Sequence, residues 1–296
     1  MRVGVEMGGT KCVCTLGTGP DDIRAQQTFP TRDPQTTLAA IAGLIDHWRG
    51  AFGEPVSIGV AAFGPLDLRR NSPTYGRIGA TPKKLWAHFD LLGFFRQRFP
   101  VPVGLSTDVI GAALAEARWG AARGLTDHAY VTVGTGVGVG LVVAGRPLIG
   151  CHHPEMGHVR IARLAGDHWP GNCPFHGDCV EGLASGPAIQ ARCGKPGTAV
   201  APDDPVWDTV ADALAQLAQV LTLSVAPERI LIGGGVMSTR PDLFPRIRAR
   251  LARSLNGYLG IHEVTDGLER YIAPPGLGDN AGPLGALAVA AEDVMP

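Results

Sequence analysis

A short apolar, β-branched run that breaks into a glycine–threonine turn and returns as a second apolar run occurs twice in this chain. The first copy spans 3–16, where Val3-Gly4-Val5 and residues 12–16 flank Gly8-Gly9-Thr10-Lys11. The second spans 130–143, where Tyr130-Val131-Thr132-Val133 and residues 139–143 flank Gly134-Thr135-Gly136-Val137-Gly138. Each copy reads as a hairpin, because extended apolar runs separated by glycines can close only by a tight turn. One hairpin in each half predicts two similar domains facing each other across a cleft. A third glycine run, Gly233-Gly234-Gly235, follows the strand-like Arg229-Ile230-Leu231-Ile232. Glycine totals 41 of 296 residues, about twice the usual ~7%, and these runs account for its conspicuous clusters.

Helical periodicity fills the intervals. Leu38, Ile41, Ile45, Trp48 and Phe52 give residues 36–52 the spacing of an amphipathic helix. Residues 56–63 form a buried-strand run ending at Gly64-Pro65, and residues 101–105 form another, followed by a helix from Asp108 to Trp119. Further helices are predicted over 203–226, 241–255 and 282–292. Strands alternating with helices make the chain α/β in layers. The expected division is an N-terminal α/β domain over 1–107, completed by the C-terminal helix 282–296, and a C-terminal α/β domain over 108–281.

Charge and apolar content exclude several classes of partner. The 26 Lys+Arg nearly cancel the 27 Asp+Glu, so nothing in the balance favours nucleic acid or an anionic membrane surface. The uncharged stretch 129–145 carries five glycines and two threonines, too short and too glycine-rich to span a bilayer. No apolar leader follows Met1, and the six cysteines then read as reduced thiols of a cytoplasmic protein. Cys12 and Cys14, alternating with Val13, read as small hydrophobes on one strand face.

Glycine turns of this kind let backbone N–H groups and threonine hydroxyls approach phosphate oxygens closely. Neither a Walker A motif nor a strand–turn–helix dinucleotide fingerprint is present, and a single turn is equally well explained as a tight hairpin. Taken together, Glu6-Met7-Gly8-Gly9-Thr10-Lys11, Val133-Gly134-Thr135-Gly136-Val137-Gly138 and Ile232-Gly233-Gly234-Gly235-Val236 resemble the phosphate-1, phosphate-2 and adenosine segments of sugar kinases with the two-domain actin/hexokinase-like (ribonuclease H-like) fold. The stretch 153–187, His-Pro-Glu-Met-Gly-His through Cys-Pro-Phe-His-Gly-Asp-Cys-Val-Glu-Gly-Leu-Ala-Ser-Gly-Pro, is similar to the ROK family (repressors, open reading frames, kinases) and within it to the bacterial fructokinases. Thr81-Pro82-Lys83, Trp86 and Phe89-Asp90 resemble the same branch. The resemblance implies ATP binding by Gly8, Gly9, Thr10, Lys11, Gly134, Thr135, Gly136, Gly138, Pro187, Gly233, Gly234 and Gly235. It also implies a homodimer.

His158, Cys173, His176 and Cys179 are spaced H-x14-C-x2-H-x2-C. Two thiolates and two imidazoles make the closed donor set of structural Zn²⁺. Such an ion would tie the polar segment 159–172 to the turn at 173–179. His152 and His153 compete with His158 for the remote position; the family's Gly-His position favours His158.

Phosphorylating a sugar hydroxyl needs in-line geometry, Mg²⁺ on the phosphates and a carboxylate to take the hydroxyl proton. Asp108 opens a helix, so its residue type fits either a helix N-cap or that base; the resemblance implies the base. Related kinases carry Asn two residues later, where this chain has Ile110. The resemblance further implies sugar contacts from Gly64, Pro65, Thr107, Glu155, His158 and Glu181, with Glu6 acting on Mg²⁺ through water. Glu181 alternatively reads as a helix-start carboxylate, and Lys11 as a solvated hairpin lysine. The expected activity is ATP-dependent conversion of fructose to fructose 6-phosphate. The competing readings are a broader mannose or glucose kinase, a non-catalytic sugar-binding protein, and a sugar-sensing repressor. The place of the first phosphate turn at Gly8 and the near-neutral charge argue against the last of these.

Overall fold

The computed structural model describes residues 1–81, 83–260 and 267–292, excluding the side chain of residue 292. Pro82 of the Thr81–Lys83 motif and the last four residues of the predicted C-terminal helix lie outside the described residues. The chain divides into two compact units. The first holds Met1–Gly124, Pro147–Pro154 and the residues from Asn280 onward; the second holds Leu125–Arg146 and Glu155–Asp279.

The sheet of the first unit contains β1 (Arg2–Met7), β2 (Lys11–Gly19), β3 (Asp22–Pro30), β4 (Ser57–Ala62) and β5 (Val103–Thr107), in the order β3-β2-β1-β4-β5. The β1–β2 pair is antiparallel, as a hairpin requires, while β1, β4 and β5 run parallel. Helices α1 (Pro34–Phe52), α2 (Leu91–Arg98) and α3 (Asp108–Trp119) follow the strands. The start of α1 is fixed locally: Asp33 accepts the Thr36 N–H at 2.8 Å and Pro34 occupies the first turn. Phe52, expected on the apolar stripe, is 42% exposed, because the helix reaches its last turn beyond the edge of the core.

The interior of this unit is completed from the far end of the chain. The last described helix lies flat on β1, β4 and α3; numbered α10 in chain order, it spans Ala281–Glu292. Its approach is at backbone distance: a Cβ at Gly59 would lie 2.1 Å from the Ala286 carbonyl oxygen, and one at Gly285 would lie 2.5 Å from the Gly111 carbonyl carbon. Alanine and glycine supply most of α10, which lets its backbone approach the sheet at Gly4 and Gly59 and α3 at Gly111. This packing also moves the boundary. The expected split near residue 107 would have given α3 to the second domain, but α3 is clamped to α10 and the first unit runs on to Gly124.

The second unit repeats the hairpin plan. β6 (His128–Val133) pairs antiparallel with β7 (Val137–Val143), and β9 (Arg229–Gly233) runs parallel to β6, just as β4 runs parallel to β1. The sheet order is β10-β9-β6-β7-β8, with β8 (Arg146–Pro147) and β10 (Ile272–Ala273) at its edges. Around it lie α4 (Val180–Ala184), α5 (Gly186–Cys193), α6 (Val206–Ser224), α7 (Gly235–Thr239), α8 (Leu243–Leu255) and α9 (Leu268–Tyr271). Val131, Val139, Leu183, Trp207, Val210 and Leu214 belong to one continuous apolar core. No described helix is long and apolar enough to cross a membrane.

Candidate active site

In the first unit the candidate residues gather at the carboxyl ends of the parallel strands, where α/β sheets bind ligands. Glu6 ends β1, Gly64-Pro65 follows β4, and Asp108 follows β5. The Phe63 N–H donates to the Met7 carbonyl at 2.8 Å, which brings the Gly64-Pro65 turn beside the first glycine turn. That turn closes through Gly8 N–H to the Lys11 carbonyl at 2.9 Å, and Thr31 braces it by donating its hydroxyl to the Gly8 carbonyl at 2.8 Å. Gly9 lies between them; Thr10 and Lys11 are exposed.

Asp108 is not the cap of α3. Thr107 takes that role, its hydroxyl accepting the Ile110 N–H at 3.2 Å. Asp108 sits one residue later, with Oδ1 accepting the Val109 N–H at 2.9 Å. Burial pushes its carboxyl up to about 6, against the pull of backbone N–H groups. Glu6 is pushed up to about 7 by burial first and by the Asp108 charge second, with Lys11 pulling it back. Its carboxylate lies over the start of α10, where a Cβ on Gly282 would fall 2.1 Å from Oε1. A carboxyl raised by burial and by a second carboxyl's charge is the electrostatic signature of a cation or proton site. Ile110 is buried in the core at 1% exposure and offers nothing polar.

In the second unit the other two glycine turns come together. Gly134 N–H donates to the Gly136 carbonyl at 2.9 Å, and Gly186 N–H donates to the Gly134 carbonyl at 2.8 Å. Pro187 therefore stands next to the turn, at the second position of α5. Glu181 braces the same turn: its Oε2 accepts the Val137 N–H at 3.1 Å and occupies the space a Cβ on Gly136 would need, 2.6 Å away. Thr135 is exposed at the tip, and Gly138 pairs with Thr132 in the ladder. Gly234 has a φ of +89°, and a Cβ there would lie 2.6 Å from the Val133 nitrogen. Gly233 and Gly235 border the same strand end.

Gly157 is held so close to β7 that a Cβ would sit 1.7 Å from the Val137 carbonyl oxygen. This fixes Glu155 and His158, on either side of it, against the hairpin. His158, Cys173, His176 and Cys179 place one donor atom each within 4.8 Å of one another. Cys173 Sγ lies 3.6 Å from Nδ1 of both His158 and His176, and Cys179 Sγ lies 3.6 Å from His158 Nδ1. Bonds of ~2.3 Å to sulfur and ~2.0–2.1 Å to nitrogen at the tetrahedral angle put sulfur and nitrogen about 3.6 Å apart, so the donor set fits zinc in spacing and in chemistry. His158 offers Nδ1 to this cluster, which leaves Nε2 for another partner.

His152 and His153 are outside the cluster. Both belong to the first unit, and His153 Nε2 accepts the Leu66 N–H at 3.0 Å, anchoring the segment that follows Gly64-Pro65. Sequence reasoning missed this role, which has no local signature. It also missed the ties on 159–172 that do not involve the cysteines. Arg192 grips Asp167 through two hydrogen bonds of 2.9 and 3.1 Å, and the Gln216 amide both donates to and accepts from the backbone of Ala162.

Residues 2–293 match the ROK family. The chain belongs to the ROK family. It is 42% identical to a putative fructokinase of Bacillus subtilis (strain 168) over 290 residues, 98% of this chain and 95% of that one. It is 41% identical to a fructokinase of Pediococcus pentosaceus over 97% of this chain and 96% of the relative. Among solved structures, the ROK hexokinase from Thermus thermophilus is similar with a TM-score of 0.75 at 26% identity, covering 99% of this chain and 98% of that chain. These relatives place the chain among the ROK-family kinases and its fold in the two-domain actin/hexokinase-like class.

Proposed function

We propose that this ROK-family kinase transfers the γ-phosphoryl group of ATP to fructose, giving fructose 6-phosphate and ADP. The observation that carries the reading is Asp108, a part-buried carboxyl with a raised affinity for protons, placed directly after β5 at the start of α3. A general base with an affinity near neutrality takes a hydroxyl proton well and still ionises at working pH. In the proposed step Asp108 accepts the proton of the sugar hydroxyl while its oxygen attacks the γ-phosphorus and the bond to ADP breaks. Thr107 holds Asp108 at the helix start. The glycines at 8–9, 134–138 and 233–235, with Thr10, Thr135, Lys11 and Pro187, form the nucleotide-contacting set.

Mg²⁺ bound with the nucleotide would neutralise phosphate charge; Glu6, whose carboxyl is raised by burial and by the Asp108 charge, would hold it through water. The sugar-contacting set is Gly64, Pro65, Glu155, His158 and Glu181. Zinc on His158 Nδ1 would fix that ring and leave Nε2 for a sugar hydroxyl. Fructose is favoured over other hexoses because the curated fructokinase relatives match nearly the whole chain at about 36–42% identity. An ADP-release assay on purified protein with fructose, mannose and glucose tests the reading. The kcat/KM for fructose is expected to lead, and absence of turnover with all three defeats the proposal.

A further inference from the structure

Lys83 lies beside the turn assigned to the sugar. It begins a short 3₁₀ turn, Lys84–Trp86, that is pinned at its far end: the Trp86 ring is 2% exposed and its indole N–H donates to the Arg32 carbonyl at 2.7 Å. Trp86 meets Phe63 edge to face at 5.6 Å, and the Lys83 ammonium lies over the Phe63 ring, 5.7 Å from its centroid. Phe63 directly precedes Gly64-Pro65. The Cys12 thiol feels the charge of Lys83 and, with the opposite sign, that of Glu6. Cys12 contacts the Thr31 hydroxyl at 3.3 Å, and that hydroxyl braces Gly8. Lys83 therefore lies beside the turn assigned to the sugar, and its charge reaches Cys12 on the strand that leaves the phosphate turn. No described carboxylate lies within ion-pair distance of it, and a half-buried ammonium resting on a ring face alone retains donors for an anion.

We propose that Lys83 is a catalytic residue that touches the phosphoryl group in flight and then holds the phosphate of the sugar phosphate product. The inference rests on the kinase reading above. The sugar oxygen–phosphorus bond forms, the phosphorus–oxygen bond to ADP breaks, and the sugar proton goes to Asp108. Lys83 keeps its own proton throughout and supplies only charge and hydrogen bonds. A compact ammonium on a flexible stem can follow the phosphoryl oxygens, and no planar fork is needed.

The test is Lys83→Met, which retains the stem over Phe63, alongside Lys83→Arg. Removal of one pre-placed donor of this kind lowers kcat about 10²–10³-fold. Fructose KM is expected to stay within about threefold, and the arginine variant to recover part of the rate, as remote positioning would not require. Calorimetry gives the independent readout: fructose 6-phosphate binding falls at least about tenfold in Lys83→Met while fructose binding holds. A kcat within about threefold of wild type overturns the proposal. So does a parallel loss of fructose and fructose 6-phosphate binding, which would mark a structural or sugar-hydroxyl role. If wild type turns over no hexose, the fructokinase reading fails, and the fructose 6-phosphate against fructose comparison still judges Lys83.

Discussion

Replacing Asp108 with Asn is expected to make the protein inactive and more stable at once. Asn keeps the shape of the side chain and an acceptor for the Val109 N–H, so the start of α3 is preserved. What disappears is a carboxylate whose charge folding makes costly. Burial raises its value from 3.8 to about 6. At pH 8, where the wild-type group is ionised in both states, that difference of roughly two pH units costs the native state up to about 3 kcal/mol. A group with a raised native value contributes its stability below the unfolded value and loses it as pH rises through the native value. The advantage of Asn therefore shrinks to about 1.5 kcal/mol at pH 5 and vanishes below about pH 4. Loss of a general base lowers kcat about 10²–10⁴-fold. The assay is thermal unfolding of both proteins at pH 8 and pH 5, with ADP release measured on the same preparations. A variant whose stability gain does not depend on pH, or one that keeps near-normal turnover, refutes the reasoning.

Four further outcomes follow from the geometry. The kcat/KM for fructose in the wild type is expected to fall about tenfold per pH unit below about pH 6, because the base must be ionised; a profile flat to pH 5 contradicts it. Metal analysis of the purified protein should find one zinc per chain, and its removal by a chelator should weaken fructose binding measured by calorimetry, as His158 loses its fixed orientation. Gly157→Ala forces a methyl into the Val137 carbonyl oxygen, a 1.7 Å approach that only backbone movement relieves; a cost of about 3 kcal/mol or more, read as a lowered unfolding midpoint, is expected. Asp167→Asn breaks the fork to Arg192 and the 3.0 Å contact to Arg163 around a carboxylate that is 8% exposed. A loss of about 1–3 kcal/mol with faster proteolysis within 159–172 is the expected signature. Those arginines hold the Asp167 carboxyl well below its usual range, so the difference between variant and wild type should narrow as the solution is acidified.

The hairpins at β1–β2 and β6–β7 were legible because period-2 apolar runs around glycine leave one solution, and the cysteine–histidine spacing was legible because ligand chemistry is local. The helix-start position of Asp108 was legible, but its freedom from capping was not. Thr107 and Asp108 are both good caps, and the choice depends on where β5 ends, two residues later than the apolar run implies. The role of His153 depends on Leu66, far away in sequence, and no spacing rule reaches it. Residues 159–172 look poorly held in the sequence because their partners, Arg192 and Gln216, lie in α5 and α6. The domain boundary was misplaced for the same reason: the glycines that bind α3 to α10 are separated by more than 170 residues.

The placement of α10 sets an order on the birth of the protein. The strands β1 and β4 leave the ribosome early, but the helix that covers them is among the last segments made. Until then the first unit holds a sheet with one apolar face open, at synthesis rates of about 5–20 residues per second. All of the second unit emerges in that interval. The first unit thus cannot complete its interior until the second has been synthesised, about ten seconds or more after β4.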